Sequence, residues 1–275
     1  MSAASAPLVT PEGSAPVSQA LPWDNSTSVL QLLYPENSIN PGTEPQGGAD
    51  FYATPIDLHN ASSIALEYSV FFPADFDWML AGKLPGIFGG HKGCSGGDDA
   101  QTCFSTRLMW RQGGAGELYL YAPKDKQTDN LCSTPPLSVC NADYGLSIGR
   151  GSFSFTPGAW THVKQIIALN TPGLQDGGFY LEVNGKQALQ LSDVFYRGSQ
   201  ATPSGPVCIL LIFTFFGGHD SQYATPRDQY AWFKDFAMSI VPPAEPTTTA
   251  NSITAASLTS NTATQSAIAS PFGES

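Results

Sequence analysis

Five side chains suited to holding and reworking an anion fall within a short stretch of the sequence. In Cys103-Phe104-Ser105-Thr106-Arg107-Leu108-Met109-Trp110, strand alternation puts Ser105 and Arg107 on one face. Phe104, Thr106, Leu108 and Trp110 share the other face, the better candidate for a core. In Glu117-Leu118-Tyr119-Leu120-Tyr121 the two tyrosines share a face opposite the two leucines. If these strands are neighbours, Ser105, Arg107, Tyr119 and Tyr121 line one surface. Lys83 stands just before a Pro85-Gly86 turn and is expected to swing over it. Residues 83–150 carry seven Lys/Arg against six Asp/Glu, although the whole chain has a formal net charge of -11. An anionic ligand can therefore be held here. A tyrosine pair two residues apart also arises from packing, and mixed charge from a solvated surface. The Arg and Ser on a matching face favour the functional alternative.

The elements that must position these groups are strands. The chain has 275 residues, enough for one sizeable core. Charged residues make up 13%, about half of the roughly 25% usual in soluble domains. Gly (27) and Pro (22) are plentiful and aromatics reach 11%, which excludes a coiled coil or a charged helical bundle. The negative balance excludes a general nucleic-acid binder, and no apolar run is long enough to span a membrane as a helix. Strands are expected over Ser63–Pro73, Gly116–Ala122, Gly145–Phe155, Trp160–Leu169, Val207–Phe216 and Tyr230–Val241. Phe179–Val183 and Lys186–Leu191, joined by Asn184-Gly185, make a hairpin. Many short strands with frequent turns predict an all-β fold, a β-jelly-roll sandwich of two antiparallel sheets. Residues 1–21 form an expected flexible arm, 22–241 the domain, and 242–275 a Ser/Thr-rich linker or stalk.

Of the five cysteines, Cys94 with Cys103 and Cys132 with Cys140 read as two local disulfides, and Cys208 as a buried free thiol. Sequons at Asn25 and Asn60 support secretion. Residues 1–16 lack the pattern of a signal peptide, so a leader removed earlier is the preferred explanation.

The motifs as a set resemble polysaccharide lyase family 14. They are Gly82-Lys83-Leu84-Pro85-Gly86 with Gly89-Gly90, then Phe104-Ser105-Thr106-Arg107-Leu108-Met109-Trp110, then Glu117-Leu118-Tyr119-Leu120-Tyr121. Gly158-Ala159-Trp160-Thr161-His162 and Phe215-Phe216-Gly217-Gly218 extend the similarity, which runs from about Phe51 to Val241. The resemblance implies a β-jelly roll that cleaves alginate or glucuronan by β-elimination. It implies functional roles for Lys83, Ser105, Arg107, Tyr119 and Tyr121. The loops 91–103 and 130–143 do not match, which leaves the preferred uronate open.

Elimination removes the proton at C5, next to a carboxylate, and expels the oxygen at C4. The carboxylate must first be neutralised. Arg107 offers a planar fork for it and Lys83 a mobile point charge. Either Tyr119 or Tyr121 is the expected base, with an ionisation lowered by the nearby cations, and Ser105 orients the sugar. His162 and Lys164 share a strand face with Trp160 and are expected to line the groove, with Arg150 and Glu117 as further substrate-binding candidates and Arg197 as a weaker one. No cofactor is required. Asp98-Asp99 admits a structural calcium without other support. The expected partner is an anionic polysaccharide, and the expected state a secreted monomer. Two rivals remain: a carbohydrate-binding lectin-like domain and a glycoside hydrolase. The second needs paired carboxylates, for which Glu117 has no evident companion.

Overall fold

The computed structural model describes residues 28–91, 93–140, 143–199 and 209–242. The expected arm, most of the tail, Asn25 and Cys208 lie outside the described residues. Among the described residues the strands are β1 (Leu30–Tyr34), β2 (Ala49–Ala53), β3 (Ser63–Phe71), β4 (Ala81–Leu84), β5 (Gly86–Gly90), β6 (Cys103–Arg111) and β7 (Ala115–Tyr121). Then come β8 (Val139–Cys140), β9 (Leu146–Ser154), β10 (Trp160–Ala168), β11 (Gly177–Val183), β12 (Lys186–Val194), β13 (Ile209–Phe216) and β14 (Gln229–Ile240). One sheet has the order β1-β14-β3-β10-β11-β12. The other runs β2-β13-β4-β6-β7-β9-β8, with β5 also pairing β13 and β6. Every pairing is antiparallel. Consecutive strands β1 to β4, and again β12 to β14, alternate between sheets, so the chain crosses the core repeatedly. The result is the expected jelly-roll sandwich.

The expected strands fall close to where alternation and turn residues put them, whereas β1, β2, β4, β5 and β8 were not expected. Asn184 and Gly185 both take positive φ (50° and 75°), which a tight hairpin between right-twisted strands requires. One expectation is corrected. Lys83-Leu84-Pro85-Gly86 is not a turn. Pro85 only interrupts the ladder, and β4 and β5 on either side keep the same neighbours, β6 and β13. Proline has no N–H to donate, so a strand breaks there without having to reverse. Lys83 is therefore a strand residue with a fixed direction, not a residue on a swinging loop.

Phe104, Leu108 and Trp110 of β6 enter the core between the sheets, with Leu66, Tyr68, Val163 and Phe216. Burial of each large apolar side chain contributes about 1.5–3 kcal/mol. Two polar ties cross this core. The Tyr68 hydroxyl donates to the Pro85 carbonyl (3.1 Å), and the Thr106 hydroxyl donates to Gln165 Oε1 (2.7 Å). Trp110 Nε1 donates to the Trp78 carbonyl (3.0 Å), which fixes the indole against β4. Both expected disulfides are present, each with Cα atoms 5.9 Å apart. Cys94–Cys103 closes the loop before β6. Cys132–Cys140 ties a short helix, α1 (Asp129–Cys132), to β8.

Gly82 lies against the Trp110 ring so closely that an added Cβ would overlap it. Gly82→Ala should cost about 1–3 kcal/mol by overpacking. A thermal melt should show a drop of several degrees, and an unchanged melting temperature would contradict this packing.

Candidate active site

The pairing of β4, β6 and β7 sets the site. Ser105 stands opposite Tyr121, Arg107 opposite Tyr119, and Met109 opposite both Glu117 and Lys83. Phe215 of β13 pairs with Lys83 from the far side. With period two, all these side chains leave the sheet on the face turned away from the core. There they meet a cavity of about 490 Å³ lined by Lys83, Arg107, Met109, Arg111, Tyr119 and Tyr121 on its floor. Phe213 and Phe215 wall one side, and Ser95 and Gly96 of the disulfide-closed loop border it. Tyr144 and His219 also line it, and their rings stack at 5.3 Å. A second concavity of about 530 Å³ lies around Phe76 to Leu80 and Arg227, but it holds no phenol and its Arg227 pairs with Asp75.

Cations and rings are in direct contact. Lys83 Nζ lies 4.0 Å from the Tyr119 ring centre. Arg107 Cζ lies 5.1 Å from the Tyr121 ring centre, 5.3 Å from Phe213 and 6.0 Å from Tyr119. Arg107 is 1% exposed, yet its Nε and Nη2 have no hydrogen-bond partner among the described residues. Burial, then the positive charges of Arg107 and Arg111, hold Lys83 well below the usual lysine range, against the pull of Glu117. Burial also pushes Tyr119 up to about 12, helped by Tyr121, while Arg107 and Arg111 pull the other way. The expected lowering of this phenol is thus corrected: desolvation outweighs the cations. Tyr121 is 2% exposed, and its phenolic oxygen accepts a hydrogen bond from the Gly97 N–H (3.2 Å). Tyr119 is only half-buried and is the more open of the two phenols.

The other expected residues divide. Ser105 shares the face, but its hydroxyl is fully buried and donates to the Cys94 carbonyl (3.4 Å) beneath the disulfide loop. Glu117 is also fully buried. Arg111 Nη2 donates to its Oε1 (2.6 Å), and Ser147 Oγ (2.7 Å) and Arg150 Nε (3.0 Å) donate to its Oε2. It organises cations under the floor instead of meeting a polyanion. Its oxygens are committed, so it is no partner for a hydrolase pair. Arg150 is bound to this carboxylate and to Ser147. His162 and Lys164 do share a face, but on β10 in the opposite sheet, where both approach Glu67 (3.7 and 2.8 Å). They do not line the groove, because alternation assigns a residue to a face and not to a sheet. Arg197 is held by the Asn170 carbonyl (2.8 Å). Asp98 and Asp99 accept N–H groups of their own loop, from Ala100 (2.7 Å) and Gln101 (3.2 Å). His91, Asp98 and Cys103 converge, but the Cys103 sulfur is committed to its disulfide and offers no thiolate. Residues missed in the sequence include Arg111, Phe213, Phe215, Tyr144 and His219. Arg111 was within reach, since the alternation through Ser105 and Arg107 continues to it.

The raised ionisation of Tyr119 has a stability signature. The contribution is fully present below pH 10.0, its ordinary value, and is lost as pH rises through about 12. Melting temperatures of the wild type and of Tyr119→Phe, compared from neutral pH upward, should show the wild type losing ground over that interval. A constant difference would contradict the raised value.

Comparison with known proteins places the chain in a family. The Polysaccharide lyase 14 family model matches residues 22–236. The structure of the marine PL-14 alginate lyase from Aplysia kurodai is 33% identical, with a TM-score of 0.69, covering 78% of this chain and 84% of that one. The alginate lyase vAL-1 from Chlorella virus is 29% identical, with a TM-score of 0.66 and coverage of 81% and 88%. Exolysin of Paramecium bursaria Chlorella virus 1 is 26% identical over 220 residues, 72% of this chain, which spans 33% of that protein's length. With a family model matching most of its length and a buried cation cluster set against two phenols, the chain belongs to polysaccharide lyase family 14.

Proposed function

We propose that the chain cleaves a β-1,4-linked polyuronate by β-elimination, with alginate as the first substrate and glucuronan as the second. The observation that carries this is Arg107: a desolvated guanidinium with unpartnered Nε and Nη2, beside two phenols in an open cavity. Alginate is favoured because both solved relatives above are alginate lyases.

Arg107 takes the carboxylate of the reacting uronate, and Lys83 approaches it from β4. The incoming negative charge opposes the repulsion that Lys83 feels from Arg107 and Arg111 and favours its ammonium form. Fixed positive charge then meets the second negative charge that develops as C5 loses its proton. Tyr119 is the base, as the half-open phenol under Lys83 Nζ. Its oxygen takes the C5 proton, the C5–H electron pair becomes the C4–C5 double bond, and the C4–O bond breaks. In β-mannuronate or β-glucuronate the C5 hydrogen and the C4 oxygen leave from the same side, so the phenol can return its proton to the leaving oxygen. Tyr121, with its oxygen on Gly97, orients Arg107 and the loop. The cycle starts from the phenolate and regenerates it, so the rate follows the ionised fraction of Tyr119 and rises as the medium becomes alkaline. The two disulfides favour an extracellular setting.

Polymannuronate, polyguluronate, glucuronan and pectate, followed by the ultraviolet absorbance of the unsaturated product, test the proposal. Tyr119→Phe should lower kcat by about 10²–10⁴, the usual share of a general acid–base group, with binding retained. Arg107→Ala should damage both kcat and KM. Full activity in both variants, or no absorbing product from any of the four polymers, would overturn the mechanism.

A further inference from the structure

Arg111 follows Arg107 by four residues on the same face of β6, about 13 Å farther along the strand. That backbone spacing exceeds one sugar ring, which lets the two side chains serve different rings of a bound chain. Arg111 lines the same cavity, and its buried Nε has no hydrogen-bond partner among the described residues. Its charge is felt at both Lys83 and Tyr119, so it borders the reacting groups and is not a remote surface residue.

What aims it is Glu117. This carboxylate is fully buried and takes Arg111 Nη2 on one oxygen and Ser147 and Arg150 on the other. Two guanidinium charges stand against one carboxylate, so the cluster keeps one positive charge in surplus. Arg150 balances Glu117, which leaves the charge of Arg111 available to a ligand while one edge of its fork stays fixed.

We infer, on the footing of the polyuronate chemistry proposed above, that Arg111 binds the carboxylate of a uronate next to the reacting one, and that Glu117 is the positioning residue that holds it. Arg111 thereby selects for consecutive acid sugars over mixed chains of acid and neutral ones.

The test is steady-state kinetics on polymannuronate. Arg111→Ala should raise KM roughly ten- to a hundredfold, the usual worth of a hydrogen bond to a charged group, with a smaller fall in kcat because its charge also favours the ionised Tyr119. Arg111→Lys should recover part of the loss. Glu117→Gln should raise KM as well, and the double variant Arg111→Ala/Glu117→Gln should be no worse than Arg111→Ala alone, since both act on one contact. An unchanged KM in Arg111→Ala overturns the subsite, and multiplying effects in the double variant overturn the role of Glu117. If Arg111→Ala does not fold, Arg111→Lys, which keeps the charge and loses the fork, decides by the same criterion. If the wild type forms no unsaturated product, the lyase mechanism fails instead. Calorimetry with a mannuronate tetramer then decides the subsite separately: equal affinity in wild type and Arg111→Ala overturns it.

Discussion

A positive charge that has lost its water, with the field of Asp50 but no hydrogen bond to two of its nitrogens among the described residues, governs this protein. Arg107 is driven into the groove floor by the same alternation that sends Leu108 and Trp110 into the core. Taking an ion from water is costly unless something replaces the lost hydration. Tyr119, Tyr121 and Phe213 supply their ring faces, a partial replacement, and two of the guanidinium nitrogens stay open. The anionic sugar proposed as ligand would supply what the fold leaves unfinished. Lys83 shares these conditions, desolvated and beside two arginines.

The sandwich makes this arrangement possible. β6 is buried on both faces, one by the opposite sheet and the other by the groove walls. Polar ties at Thr106 and Tyr68 lock its position relative to the first sheet. Its side chains therefore have a rigid base, which a site needs if its charges are to act without reorganising. Glu117 sits beneath this floor and keeps the neighbouring arginines from repelling the arrangement apart.

Most of the fold was legible because it rests on local rules. Alternation, Asn184-Gly185 and the apolar run into Phe216 located the strands to within a few residues. The shared face of Arg107 and the two tyrosines was legible for the same reason. What failed required knowledge of the third dimension. His162 and Lys164 obey the alternation but ride on the other sheet. Glu117 was assigned to the right face, yet its depth depends on Arg111 and Arg150 closing over it. The ionisation of Tyr119 turned on how much water the walls exclude, a property of residues from β13 and distant loops. Pro85 reads as a turn by composition, and only the continued pairing with β6 and β13 identifies it as an interruption.

The wall above Tyr121 is held by a covalent bond between sulfurs. Cys94–Cys103 closes the loop whose Gly97 N–H meets the phenol and whose Cys94 carbonyl takes the Ser105 hydroxyl. Neither cysteine belongs to the core between the sheets; both pack with Tyr121, Phe213 and Phe215 at the groove. Production in a reducing host cytoplasm would therefore yield chains whose groove wall loosens before the core between the sheets does. Their specific activity would reflect thiol oxidation more than the amount of folded protein.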